Sequence, residues 1–230
     1  MDIVFEELDF QQTPLGDISL RKRSEPRLNN EIIYEVKLGD EFLMSSLFVE
    51  AEEQLSTLGL AALKANGFND DLNVVVGGLG LGYTALTALN DHAVRSLRVI
   101  DVMQPVISWH QQGLLPIGDV LAMESRCKLI LGDFFALATD PATGFINNDQ
   151  VHAVLLDIDH SPSHWLNQGN SSFYSQQSLA AMATKIVSGG IFGLWSNELP
   201  DQQFIDVLNT VFRDTQSHVV CHETPCLTHQ

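Results

Sequence analysis

The chain has 230 residues, 45% of them hydrophobic, and a formal net charge of −17, which suits a folded domain with a buried core and excludes wholesale disorder. So negative a surface repels a phosphate backbone, so nucleic acid is not an expected partner; it would attract a small cationic substrate, but by itself it equally fits a plain soluble acidic surface. No run approaches the ~20 apolar residues of a membrane helix, and the start MDIVFEELDF lacks the basic head and apolar core of a secretion signal, so a cytoplasmic protein with no membrane partner is expected.

Residues 1–50 read as a small antiparallel β-region. Ile18-Ser19-Leu20 and Ile32-Ile33-Tyr34-Glu35-Val36 partly alternate apolar and polar, and Leu38-Gly39-Asp40 is a turn signal before Glu41-Phe42-Leu43-Met44. Residues 51–66 place Leu55, Leu58, Leu60 and Leu63 near helical intervals, with Gly67 as a stop. From residue 72 strands and helices alternate as far as residue 221, which with the helix before them and the polar stretch after them predicts one α/β domain over 51–230. Strands are predicted at 72–77, 96–101, 127–131, 151–157, 190–195 and 217–221, and helices at 82–91, 103–112, 134–138, 173–187 and 201–213. Such alternation predicts a doubly wound, mostly parallel sheet covered on both faces, with its ligand beyond the carboxyl ends of the strands.

The most informative stretch is Val74-Val75-Val76-Gly77-Gly78-Leu79-Gly80-Leu81-Gly82. A buried strand that stops at glycines and restarts as a helix offers backbone N–H groups and a positive helix end to a ligand. Three aspartates follow the next three strands: Asp101, Asp133 and Asp157. Asp at a strand end commonly caps the next helix. Three in series with a glycine loop favour a nucleoside site instead, with Asp101 on the ribose, Asp133 on the adenine amine and Asp157 facing the reaction space. Gly80-Leu81-Gly82-Tyr83-Thr84-Ala85 also satisfies the dinucleotide pattern G-x-G-x-x-G/A, but it is displaced from its strand by Gly77, Gly78 and Leu79. Gly78-x-Gly80-x-Gly82 directly after the strand suits S-adenosylmethionine better. Trp165 and Trp195 are candidates for the pocket wall or for the core.

The three cysteines, Cys127, Cys221 and Cys226, form no C-x-x-C pair. Cys226-x-x-His229 has half-site spacing, but the neighbouring Cys221-His222 suits joint ligation poorly and no H-E-x-x-H occurs, so no metal is expected.

Gly77–Gly82, Asp101, Gly132-Asp133, Leu156-Asp157, Phe173-Tyr174 and Gly189-Gly190 together resemble the spermidine synthase group of polyamine aminopropyltransferases. That group shares the Rossmann-like fold of S-adenosylmethionine methyltransferases, preceded by a small N-terminal β-domain. The resemblance implies a homodimeric transferase moving an aminopropyl group from decarboxylated S-adenosylmethionine to a polyamine. It implies that Gly78, Gly80 and Gly82 line the cofactor's amino-acid arm, that Asp101 holds the ribose and Asp133 the adenine, and that Asp157 is the first aspartate of the catalytic loop, the group that takes the amine's proton. It places Glu53 at the family's helical glutamate and Tyr174 in the amine channel. The family has a second aspartate three residues after the first. Here Asp157-Ile158-Asp159-His160 puts a histidine there, making Asp159 and His160 the stand-ins. The family's glycine loop also carries an aspartate where this chain has Gly80. These departures keep two further readings open: a methyltransferase using intact S-adenosylmethionine, and a non-catalytic nucleoside-binding protein.

Overall fold

The computed structural model describes residues 4–145 and 149–221. Two sheets make up the chain. The first is antiparallel and runs in chain order: β1 (Phe5–Thr13), β2 (Gly16–Glu25), β3 (Glu31–Leu38) and β4 (Glu41–Ser45). The second is parallel and has the spatial order β7-β6-β5-β8-β9, built from β5 (Leu72–Gly77), β6 (Val94–Asp101), β7 (Cys127–Leu131), β8 (Val151–Leu156) and β9 (Ile186–Leu194). Helices α1 (Glu50–Ala65), α2 (Tyr83–Asn90), α3 (Gln104–Gln111), α4 (Gly118–Met123), α5 (Phe134–Thr139), α6 (Gln176–Ala183) and α7 (Gln202–Val211) connect and cover the strands. The doubly wound α/β architecture expected from the alternating pattern is present. Among the described residues no helix is long and apolar enough to cross a membrane.

A strand buried on both faces sends alternate side chains to opposite sides. Val74 and Val76 enter one core with Leu97, Val99, Ala153 and Leu155, while Val75 enters the other with Ile100, Val154 and Leu156. The first core also takes Leu60 and Leu63 of α1 and Ile18, Leu20 and Val36 of the antiparallel sheet. That sheet is therefore packed onto the parallel-sheet body through shared apolar surface. A polar link adds to it: the indole N–H of Trp109, a fully buried α3 residue, donates to Asp9 Oδ2 of β1 at 2.6 Å. On the same sheet Glu35 is buried between Arg21 and Arg23 at 3.1 and 2.8 Å, so these members of the basic N-terminal cluster are largely neutralised in place.

Three segments depart from the sequence expectation. Residues 217–221 form no strand; Val219 is 61% exposed, and β9 remains an edge of the described sheet. β-Branched residues make a strand only where a partner accepts their hydrogen bonds. The helix expected over 173–187 is a 3₁₀ segment, Gln168–Tyr174, followed by α6, and β9 starts at Ile186. Ser175 causes the break: its hydroxyl accepts from the Ser178 N–H and starts a new helix. Helix α4 has six residues, too few to show a helical period in sequence. Of the C-terminal Cys/His group, Cys221 is exposed, and His222, Cys226 and His229 lie outside the described residues.

Replacing Asp9 with Ala leaves the Trp109 N–H buried without an acceptor, at an expected cost of about 1–3 kcal/mol. Urea unfolding should show this loss, and a double-mutant cycle with Trp109→Phe should show strong coupling between the two positions.

Candidate functional site

The parallel strands end in register. Gly77 pairs with Ile100 on one side and Leu156 on the other, Asp101 pairs with Leu131, and Leu156 pairs with Leu194. Backbone bonds carry this register past the strands, from Asp157 N to Gly77 O at 2.7 Å, Gly132 N to Asp101 O at 2.9 Å and Trp195 N to Leu156 O at 2.9 Å. Asp133, Asp101, the glycine loop, Asp157 and Trp195 consequently stand along one edge of the sheet. The connection reverses direction between β5 and β8, where an open α/β sheet forms its ligand crevice.

The glycine loop alternates anchor and clearance. Leu79 and Leu81 are buried in the first core, at 4% and 5% exposure, and this pins the loop. Gly78 has φ +94°, and a Cβ there would lie 1.9 Å from the Asp157 carbonyl oxygen. Only glycine lets β5 and β8 end this close together. At Gly80 (φ +51°) a Cβ would sit 3.2 Å from Met44 Sδ of β4, and at Gly82 (φ +94°) it would strike Leu121 and His110. His110 is buried, its ring kept neutral by desolvation, and its Nε2 lies 2.9 Å from the Gly80 carbonyl. A neutral ring protonated at Nε2 donates there and props the loop from behind.

Between this loop, β4 and the β8 end lies a cavity of about 70 Å³, lined among others by Met44, Glu52, Tyr83, Asp157, His160 and Trp195. Its electrostatics are set by two carboxyl groups. Burial pushes Asp157 up to about 6, against the Thr84 hydroxyl that donates to its Oδ2 at 2.7 Å. Burial and then the charge of Asp157 push Glu52 up to about 7. Burial raises the Tyr83 phenol as well, followed by the charges of Glu53 and Glu52. The Trp195 indole nitrogen is buried without a hydrogen-bond partner among the described residues.

Several sequence-expected residues are placed differently. Glu53 does not line the cavity; its neighbour Glu52 does, because one step along α1 turns the side chain by about 100°. Asp101 stands beside the loop, but its oxygens accept from Leu79 N at 2.9 Å and Met103 N at 2.7 Å. With the Gly80 N–H these bonds offset part of the burial that raises its pKa. The loop N–H groups expected to face a ligand are thus turned toward Asp101. Asp133 is exposed, and its Oδ1 accepts from Ala136 N at 3.1 Å as the N-cap of α5. Asp159 is buried, with its carboxylate taken up by Leu166 N, Asn170 Nδ2 and the Tyr174 hydroxyl at 2.8, 2.8 and 2.9 Å. Tyr174 packs with Phe135, Phe173 and Phe204 in the second core and does not line this cavity. Trp165 joins that core too, and its N–H donates to Pro162 O at 2.8 Å. Glu52, Thr84, His110 and Glu41, which bonds His160 Nε2 at 3.0 Å, had no distinguishing signal in the sequence. Each owes its place to contacts between distant segments.

The residues present suit a nucleoside donor in kind. The carboxylate that ends β6 would receive ribose hydroxyls only by giving up its bonds to the loop, an indole N–H with no partner among the described residues lies at the cavity wall, and Leu43 and Met44 of β4 line the same cavity.

No protein-family model matches the chain, and no curated protein matches it. Solved structures do. Spermidine synthase in complex with the transition-state analogue AdoDATO aligns with TM-score 0.65 at 13% identity, over 90% of this chain and 65% of that one. Spermidine synthase from Thermotoga maritima aligns with TM-score 0.63 at 13% identity, over 90% and 64%. Human methyltransferase-like protein 13 in complex with SAH aligns with TM-score 0.50 at 17% identity, over 62% and 63%. This chain thus spans less than two thirds of the length of these spermidine synthases. At such identities the shared property is the fold. It is the fold of S-adenosylmethionine-type transferases, and a match over 90% of the chain reaches into the N-terminal sheet.

Both raised carboxyls bind protons more tightly folded than unfolded, so their contribution to stability should fall as pH rises from about 4 to about 7. Glu52→Gln should raise the melting temperature at pH 8 by an amount equivalent to about 1 kcal/mol and leave it unchanged at pH 4. An unaltered pH slope in the variant would contradict the burial of this charge.

Proposed function

We propose that this chain is a transferase that alkylates a small cationic amine with a sulfonium nucleoside, in the manner of an aminopropyltransferase acting on decarboxylated S-adenosylmethionine and a polyamine. The observation that carries the reading is the Glu52–Asp157 pair, two half-buried carboxyl groups facing one cavity at the switch point of this fold, beneath a strand of the N-terminal sheet. A cavity with paired acids and apolar walls from Leu43, Met44 and Ile158 suits an alkylammonium, whose charge pairs while its methylenes are desolvated.

The donor, when bound, supplies an electrophilic carbon next to a positive sulfur. On the protein side, an ammonium cannot attack until it loses a proton. Asp157 is placed to take it: a carboxyl titrating at about 6 is a stronger base than an ordinary carboxylate and is still largely ionised at pH 7.5. Thr84 fixes Asp157 Oδ2 and leaves Oδ1 for the amine. Glu52 holds the charge of the incoming cation and, once neutralised by it, no longer opposes ionisation of Asp157. Asp159, fully engaged by three donors, holds the loop in shape and positions Asp157 and His160. Asp101 is the group to receive the ribose, exchanging its bonds to Leu79 and Met103 for the ligand's hydroxyls. Pockets for cofactor-sized ligands run to roughly 300–1,000 Å³, so Leu43 and Met44 have to withdraw from the glycine loop as the donor enters.

A methyltransferase is the second reading, and Gly80 favours it: no acid stands in the loop where a decarboxylated donor's amine would be held. Calorimetry separates the two. Tighter binding of decarboxylated than of intact S-adenosylmethionine supports aminopropyl transfer, and the reverse order supports methyl transfer. With decarboxylated donor and a diamine panel, methylthioadenosine should form, at a rate that falls as pH drops through about 6 to 7. Asp157→Asn should lower kcat about 10²–10⁴-fold with donor affinity retained. Absence of turnover with either donor would overturn both readings.

A further inference from the structure

One cluster joins the cavity only through His160, and its other two members, Glu41 and His164, do not line it. Glu41 opens β4 in the N-terminal sheet, and His160 and His164 lie in the loop after β8. Each offers one ligand atom, and all three atoms lie within 4.8 Å of one another. His160 Nε2 is 3.0 Å from Glu41 Oε1, the two imidazole rings have centroids 4.8 Å apart, and the His164 ring makes no hydrogen bond among the described residues.

The loop that carries the histidines is held firmly. Ser161 and His164 exchange both backbone bonds at 3.2 Å, closing a tight turn that brings His160 and His164 to the same side. Trp165 donates to Pro162 O at 2.8 Å, Asn197 N to His160 O at 2.7 Å, and Leu166 N to Asp159 at 2.8 Å. The side chains themselves reach solvent, so they can adjust by rotation.

From this geometry we propose that Glu41, His160 and His164 form a binding site for a divalent transition-metal ion of the zinc type, which clamps β4 to the loop that carries Asp157. Two neutral imidazoles and a carboxylate are the donor set of an open zinc site, with three protein ligands and a fourth position for water. Bonds of about 2.0–2.1 Å at tetrahedral angles bring ligand atoms to about 3.3 Å from each other. The Glu41–His160 separation of 3.0 Å is close to this, and rotation of the exposed Glu41 and His164 side chains closes the rest. The chain's charge of −17 draws cations toward the site. The consequence is mechanical: β4 supplies Leu43, Met44 and Ser45 to the cavity wall, so an ion holding Glu41 against the two histidines limits how far that wall withdraws when a ligand enters. Which group the protein transfers has no bearing on the site.

The test is calorimetric titration of Zn²⁺ into EDTA-stripped full-length protein, with Co²⁺ as a spectroscopic probe. One equivalent should bind saturably, raise the melting temperature and give the visible absorption of tetrahedral Co²⁺. Glu41→Gln and His164→Ala should each weaken binding at least about tenfold, while His92→Ala, remote from the cluster, should not. Cys221→Ser/Cys226→Ser should keep the equivalent, which separates the site from the cysteine-containing tail. Circular dichroism checks that the variants fold. No saturable binding, or an isotherm unchanged in both Glu41→Gln and His164→Ala, overturns the proposal, as does loss of the equivalent in the cysteine variant.

Discussion

The site depends on the alignment of strand ends at the carboxyl edge of the parallel sheet. The bond from Asp157 N to Gly77 O and the absence of a side chain at Gly78 bring the ends of β5 and β8 together. Because the neighbouring strands are in register with this pair, Asp101, Asp157 and Trp195 reach the edge at the same level. A Cβ at Gly78 would drive the Asp157 carbonyl away and misplace the loop that follows, including His160 and its partner Glu41.

A second constraint is the lack of water around that edge. Glu52 and Asp157 are raised because the apolar walls that surround them, from Met44, Ile158 and Leu166, cannot solvate a carboxylate. Those walls come from both sheets, and the antiparallel sheet contributes through β4. Its docking rests on Ile18, Leu20 and Val36 in the common core and on the buried Asp9–Trp109 bond. Packing far from the cavity therefore sets the chemistry within it. The glycine loop is supported in a similar way, by the core leucines Leu79 and Leu81 and by His110 behind the Gly80 carbonyl.

Much of the fold was legible because its signals are local. Val74-Val75-Val76 before a glycine series, Leu55 to Leu63 at helical spacing, and an aspartate after each of three strands are patterns that the backbone period produces directly. The edge holding Asp101 and Asp157 followed from the same alternation. Failures came where a partner decides. Val219 and Val220 have strand character and no strand beside them among the described residues, α4 is too short to be periodic, and Ser175 divides a region that reads as continuous helix. Asp133 and Asp159 are indistinguishable from Asp157 by position after a strand, yet one caps a helix and another holds a loop together.

The amino-acid sequence by itself determined the doubly wound sheet, the glycine loop and the row of acids at its edge, since each follows from residue periodicity and from what glycine and aspartate can do locally. Tertiary structure alone decided which acid faces the cavity. Glu52 rather than Glu53 is chosen by the rotation of α1 against β8 and β9, and Asp157 is singled out by Thr84 from another segment. It also decided that Glu41 meets His160 and His164 across more than a hundred residues of chain. Burial and proximity between distant segments have no local period, and a linear pattern does not contain them.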